Sequence, residues 1–192
     1  MLHPLSTDLL HSTFNAGLAY DAYVAGGKPH EQEHWGAFHA RVTLTDAHKA
    51  LVGSFARSIN VLCISGTWCG DCVQQCPMLD RIATCSGRIA LRFVDRDRHR
   101  ELSENLKICG GNRVPVTIFM NEDYEFVSLI GDRTLARYRA LAARFLGPSC
   151  PLPGAPVPAD EIAATLADFV AEFERVHLLL RLSPKLRHRH GD

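Results

Sequence analysis

The spacing of apolar residues changes several times along this chain, and each change marks an element. From Ser6, an N-cap, Leu9, Leu10, Phe14 and Leu18 recur at helical spacing until Gly26-Gly27 interrupts them, which predicts one helix. Residues 28–43 are polar and then partly aromatic, with Trp35 and Phe38, and their pattern assigns no element. Thr45-Asp46 caps a second predicted helix marked by Ala47, Leu51, Val52, Phe55 and Ile59. Residues 60–65 (NVLCIS) form a short, continuous, β-branched run that suits a central strand buried on both faces. That run leads straight into Gly66-Thr67-Trp68-Cys69-Gly70-Asp71-Cys72, after which Val73, Cys76, Met78, Leu79, Ile82 and Ala83 return to helical spacing.

Residues 88–95 alternate as a strand does, residues 101–108 predict a helix, and Gly110-Gly111 opens a loop. Residues 114–120 and 124–130, joined by Asn121-Glu122-Asp123 and closed by Gly131, predict a β-hairpin, with a helix over 135–145 after it. Five prolines within residues 147–158 make a stiff connector. Asp160 then caps a last helix whose stripe of Ile162, Leu166, Phe169, Val170, Phe173 and Val176 should dock on the core. The basic segment 183–192 is expected to fray.

Charge and composition narrow the function. Lys plus Arg is 21 and Asp plus Glu is 21, so the net charge is zero and neither nucleic acid nor an anionic membrane is the expected partner. With 192 residues and 46% apolar positions, the chain fits one decorated globular domain. No apolar run reaches the roughly 20 residues of a membrane-spanning helix. The N-terminal segment lacks a positive start and carries Asp8 where an apolar stretch should build, so a secretory leader is not expected. The expected compartment is the cytoplasm, where thiols stay reduced and a structural disulfide framework is unfavourable. The seven cysteines therefore have to be assigned by position.

Cys69 and Cys72 stand where a strand gives way to a helix. A cysteine at a helix N-terminus faces unpaired amide donors and the positive end of the dipole, which favour the thiolate. Two intervening residues bring Cys72 within disulfide reach but one turn further in. Cys69 is thus the expected nucleophile and Cys72 the resolver: thiolate attack on a substrate disulfide, a mixed disulfide, then release of reduced substrate by Cys72. Electrons reside on the sulfurs, so no bound cofactor is implied.

Trp68-Cys69-Gly70-Asp71-Cys72 resembles the WCxxC active site of the thioredoxin family. Pro77, five residues after Cys72, matches that family's helix-kinking proline, and Val114-Pro115, 43 residues after Cys72, resembles its X-cis-Pro. Gly131 resembles the glycine lining the substrate surface. The resemblance spans about residues 45–146 and implies an α/β, three-layer thioredoxin-like fold, a central mixed sheet flanked by helices, with additional helices at both ends. The expected organisation is an N-terminal helical extension (1–43) packed on a thioredoxin-like domain (44–147), a proline-rich connector and C-terminal helix (148–182), and a flexible tail (183–192). The resemblance further implies a thiol-disulfide oxidoreductase acting on protein or small-molecule disulfides. An external system, a thioredoxin reductase or glutathione, would recharge it. Trp68, Gly70, Asp71, Val114, Pro115 and Gly131 would shape the site. If Pro115 is cis, the Val114 amide and carbonyl can pair with an extended substrate strand.

Two departures from the family pattern stand out. Asp71 replaces the usual proline; its carboxylate either opposes the Cys69 thiolate, making the couple reducing, or caps the helix. Cys63 stands where many thioredoxins keep a buried acid that assists the resolving cysteine. Cys63 and Cys76 read as packing residues, and Cys85, Cys109 and Cys150 receive no role. A zinc site would need a second CxxC, which is absent. His30-Glu31-Gln32-Glu33-His34 fits H-E-x-x-H, but it follows Gly26-Gly27-Lys28-Pro29 in a polar segment with no companion ligand. The alternative from another class is a thioredoxin-fold adaptor whose extra helices hold a partner while the CxxC turns over little.

Overall fold

A computed structural model describes residues 5–146 and 157–191. Most of the proline-rich connector, Cys150 included, lies outside the described residues. The centre is a four-stranded sheet in the order β2-β1-β3-β4. β1 (Ile59–Ser65) runs parallel to β2 (Ile89–Asp95) and antiparallel to β3 (Val116–Met120), which forms the predicted hairpin with β4 (Phe126–Ile130). Flanked on two sides, β1 is apolar in every residue but Asn60 and Ser65.

Helices cover both faces of the sheet. Successive side chains of a strand alternate between faces, so Cys63 and Ser65 of β1 meet α5 (Gly70–Ala83), while Leu62 and Ile64 point the other way. In register beside Cys63 lie Phe93 on β2 and Thr117 on β3. Phe93 packs on Tyr20 and Tyr23 of α2 (Tyr20–Ala25), and both tyrosines touch Trp35 of α3 (Pro29–His39). On the opposite face, Phe14 of α1 (Thr7–Ala16) lies under the Arg92 guanidinium and against Tyr124.

Several elements differ from the sequence reading. The predicted first helix is two helices, because Gly17-Leu18 leaves helical geometry and Leu18 bridges to Phe93 along the outer edge of β2. A side chain at Gly17 would meet the Arg92 Cβ at 2.8 Å, so only glycine permits that approach. Residues 28–43, unassigned by pattern, contain α3. The helix expected over residues 46–59 is shorter: α4 (Asp46–Gly53) ends early, and Phe55 instead stacks on His177 at 4.4 Å between centroids. The helix expected over 101–108 is also shorter. It is α6 (Arg100–Glu104), followed by a tight Ile108–Gly111 turn with Cys109 at φ 49° and Gly110 at φ 74°.

After α7 (Leu135–Phe145), the docking helix is α8 (Glu161–Leu182), whose Phe173 meets Phe119 of β3 edge-on at 5.0 Å. The terminal segment is not a frayed tail. It forms α9 (Pro184–His190), buries Leu186 and pairs Arg189 with Asp123 and Lys185 with Glu125. His190 also approaches Asp123, at 3.4 Å.

Candidate active site

The loop 66–68 leaves β1 and turns into α5, with Cys69 as the N-cap residue in extended geometry and Gly70 the first helical residue. Cys69 is partly exposed, whereas Cys72, one turn in, is fully buried. The two thiols interact, and the Cys69 thiol donates to the Val114 carbonyl at 3.5 Å. The Val114–Pro115 peptide is cis. The fold thus brings together Cys69, Cys72, Val114 and Pro115, which lie far apart along the chain.

Trp68 covers the motif's outer side, half exposed, between Gly66 and the Arg96 guanidinium, which lies 4.7 Å from its ring centroid. A Cβ at Gly66 would fall 2.7 Å from the indole, so glycine there is what lets the ring lie flat on the backbone. Gly131 approaches Ile108 Cδ1, 3.1 Å from where its Cβ would be, and so borders the turn before Val114 rather than the sulfurs.

The Cys69 thiol differs from the sequence expectation. Amides of Cys72 and Asp71 pull its pKa down, as a helix terminus should. The neighbouring Cys72 thiol, then partial burial, outweigh them, and the net direction is up. Burial likewise pushes Cys72 well above the ordinary thiol range. A disfavoured thiolate makes the dithiol the better reductant.

Asp71 does neither of the two things expected of it. Its carboxylate accepts from Arg133 Nη2 at 2.6 Å and from Arg137 Nη2 and Nε at 3.0 and 3.2 Å, while the α5 N-cap receives no side-chain bond. The carboxylate and its two cations together present little net negative charge to Cys69. Arg137 also pairs with Glu161 at the start of α8, so the ion network ties the motif to the C-terminal helix. Asp71→Asn should therefore act on stability: about 2 kcal/mol lost in urea unfolding, between the values for exposed and buried pairs. Unchanged stability would make the network mere surface decoration.

Other residues of the site carry no linear signal. Gln75, buried on α5, donates to the Asp132 carbonyl at 2.8 Å and accepts from the Thr134 amide, fixing the loop after β4. Burial raises the Asp132 carboxyl, but bonds from Tyr138 (2.6 Å) and Arg113 (3.1 Å) outweigh it and hold its pKa below the ordinary value. Arg113 thereby ties the loop before the cis-proline to the loop after Gly131. From the N-terminal side, Trp35 Nε1 donates to the Thr67 carbonyl at 2.9 Å, and Glu31 bonds both Thr67 and the Lys28 amide.

That use of Glu31 bears on the H-E-x-x-H pattern. The segment is helical and the rings of His30 and His34 stand 6.2 Å apart, but Glu31 faces inward as a capping residue. Among the described residues no group of three or more His, Cys, Asp or Glu is placed to hold a metal ion. Cys63 and Cys76 are fully buried beside the site; Cys85 is partly buried and Cys109 exposed.

No curated protein matches the chain. Among solved structures, a protein of unknown function from Pseudomonas aeruginosa is similar over 83% of this chain and 95% of its own, with TM-score 0.62 and 21% identity. An HIV epitope scaffold is similar over 84% and 97%, with TM-score 0.63 and 19% identity. At such identities the likeness is one of fold. The model of the thioredoxin family matches residues 17–141, and so takes in α2 and α3 as well as the sheet and α5. A match over well more than half of the chain, on a sheet and motif helix of this arrangement, makes the chain a member of the thioredoxin family.

Proposed function

We propose that this protein is a thiol-disulfide oxidoreductase that reduces disulfides, with Cys69 as the attacking and Cys72 as the resolving sulfur. The observation that carries the reading is the placement of Cys69: at the α5 N-cap, partly exposed, touching buried Cys72 and the carbonyl that precedes cis-Pro115. Substrate reaches only the first sulfur, and the second is positioned to attack the mixed disulfide from inside. The substrate class is protein or small-molecule disulfides in a reducing compartment such as the cytoplasm. Reducing equivalents come from an external thiol system. No helix among the described residues is long and apolar enough to cross a membrane.

The adaptor reading gains nothing from the aromatic residues of the extra helices, although α8 leaves Leu178, Leu179 and Leu182 exposed. Trp35, Phe38, Phe169 and Phe173 are spent on the chain's own core rather than held out to a partner.

The direct test is turnover of insulin disulfides in the presence of a small dithiol, against a blank without protein; a rate equal to the blank would sink the reading. The pH profile tests the chemistry further. Because the pKa of Cys69 is raised, its thiolate fraction should keep growing through neutral pH and past 9.0, the ordinary thiol value. Alkylation of Cys69 by iodoacetamide should accordingly climb about tenfold per pH unit without levelling off below pH 9.0. A plateau near neutrality would show that the helix amides prevail over Cys72 and burial.

A further inference from the structure

Behind Cys72 the sulfurs do not stop. Cys76 lies one turn further along the same face of α5, and the thiols of Cys72 and Cys76 interact. Cys76 Sγ is in turn 3.7 Å from Cys63 Sγ on the central strand β1. All three inner cysteines are 0% exposed. The four sulfurs thus form an unbroken file from the partly exposed Cys69 to the middle of the sheet. Simple apolar packing does not account for the groups beside them. Ser65 Oγ lies 3.5 Å from Cys76 Sγ, and Thr117 Oγ1 lies 4.0 Å from Cys63 Sγ, so hydroxyls that can take or give a proton accompany the inner pair.

We propose that Cys63 and Cys76 are a second redox pair, loaded and unloaded only through Cys72, so that the chain stores two disulfide equivalents. The proposal rests on the Cys69–Cys72 chemistry above and extends it inward. Starting from the Cys69–Cys72 disulfide, Cys76 gives up its proton and its sulfur bonds Cys72 Sγ. The Cys69–Cys72 bond breaks, and the electron pair with a proton ends on Cys69. Cys63 then loses its proton and bonds Cys76 Sγ, the Cys72–Cys76 bond breaks, and Cys72 regains a thiol. The inner pair is oxidised, the outer pair is reduced, and the proton count is unchanged. A second disulfide oxidant can then be met at Cys69. A fully reduced chain therefore reduces two substrate disulfides before it needs recharging, and recharging runs the same exchanges in reverse.

Geometry permits each exchange. Residues four apart on a helix are separated by about 6 Å along the axis, inside the roughly 4.4–6.8 Å that a disulfide spans between Cα atoms. Pro77 follows Cys76 inside α5 and has no N–H to give the preceding turn, so the helix lacks a bond where the sulfurs must close up. No other oxidant reaches the inner sulfurs, since neither is exposed. The order of oxidation is therefore fixed, outer pair first.

The test titrates the reduced full-length protein with oxidised glutathione and maps every cysteine by differential alkylation, proteolysis and mass spectrometry. The expected result is one intramolecular disulfide after one equivalent, on Cys69–Cys72 or already passed to Cys63–Cys76, and both linkages after the second. The oxidised protein should carry two intramolecular disulfides per chain, against one in Cys63→Ala, whatever glutathione other thiols such as exposed Cys109 take up. In Cys72→Ser, Cys63 and Cys76 should both stay reduced. A wild-type chain that links Cys69 to Cys72 but leaves Cys63 and Cys76 reduced under excess oxidant overturns the relay and leaves the proposed function standing. Oxidation of the inner pair in Cys72→Ser overturns the routing through Cys72. A chain in which Cys69 and Cys72 never link overturns the proposed function itself. The wild-type map needs no variant to fold, so a misfolded Cys63→Ala does not spoil the test.

Discussion

Cys69→Ser should lower the rate of insulin reduction by at least about 10³-fold, to the uncatalysed background, because a serine hydroxyl has neither the acidity nor the sulfur affinity to open a disulfide. Cys72→Ser should behave differently. Its Cys69 is still partly exposed at the α5 N-cap, so the first attack proceeds, but nothing behind it resolves the product. Covalent protein–substrate adducts should accumulate, visible as reductant-sensitive bands on a non-reducing gel and mapped to Cys69. The asymmetry follows from burial. Cys72 is 0% exposed, so a folded substrate cannot reach it, and only a sulfur already on Cys69 can. Adducts on Cys72 in a Cys69→Ser protein would reverse the two roles, and residual turnover in that variant would remove the assignment altogether. Trapped adducts would also name the substrates, which the fold alone does not specify.

The parts of this site that are legible in the sequence are those with a local cause. A β-branched run, a cysteine pair and a return to helical spacing sit within residues 60–83, and they fold as the strand, N-cap and helix that the pattern predicts. The hairpin is equally local, with apolar strands around a polar turn. What is not legible depends on contacts between distant segments. The Asp71 partners lie 62 and 66 residues downstream, so the sequence offers a capping role or a bare charge and no hint of two arginines. Helix α3 escapes notice for a related reason. Its inward stripe is Glu31, Trp35 and Phe38, at helical spacing but opened by a carboxylate, and Gly36 interrupts it. A hydrophobic pattern cannot register a glutamate whose burial is made possible by the Lys28 amide and Thr67. The tail misleads in the opposite sense. Its basic character suggests solvent, yet Arg189 and Lys185 find Asp123 and Glu125 at the hairpin turn while Leu186 goes under. Cys63 and Cys76 read as packing because their separation along the chain hides a sulfur contact across the strand–helix interface.

Trp35 joins stability to chemistry, and its replacement should have the largest effect on folding. The indole is 0% exposed, packs on Tyr20 and Tyr23 at 5.9 and 5.8 Å between centroids, and gives its N–H to the Thr67 carbonyl. Trp35→Ala should cost about 3–5 kcal/mol, the usual range for emptying a buried aromatic site. Out of a total stability of about 5–15 kcal/mol, that should lower Tm by about 10 °C in a domain of this size. Trp35→Phe separates the two roles. It keeps most of the volume and removes the donor, leaving the Thr67 carbonyl short of a partner at a loss of about 1–3 kcal/mol. Thr67 stands two residues before Cys69, in the loop that also carries Trp68, so freeing its carbonyl loosens the approach to the N-cap. Insulin reduction by Trp35→Phe should therefore fall several-fold at temperatures where circular dichroism shows it fully folded. Unchanged turnover in that folded protein would leave the indole N–H as a packing contribution alone and detach α3 from the chemistry.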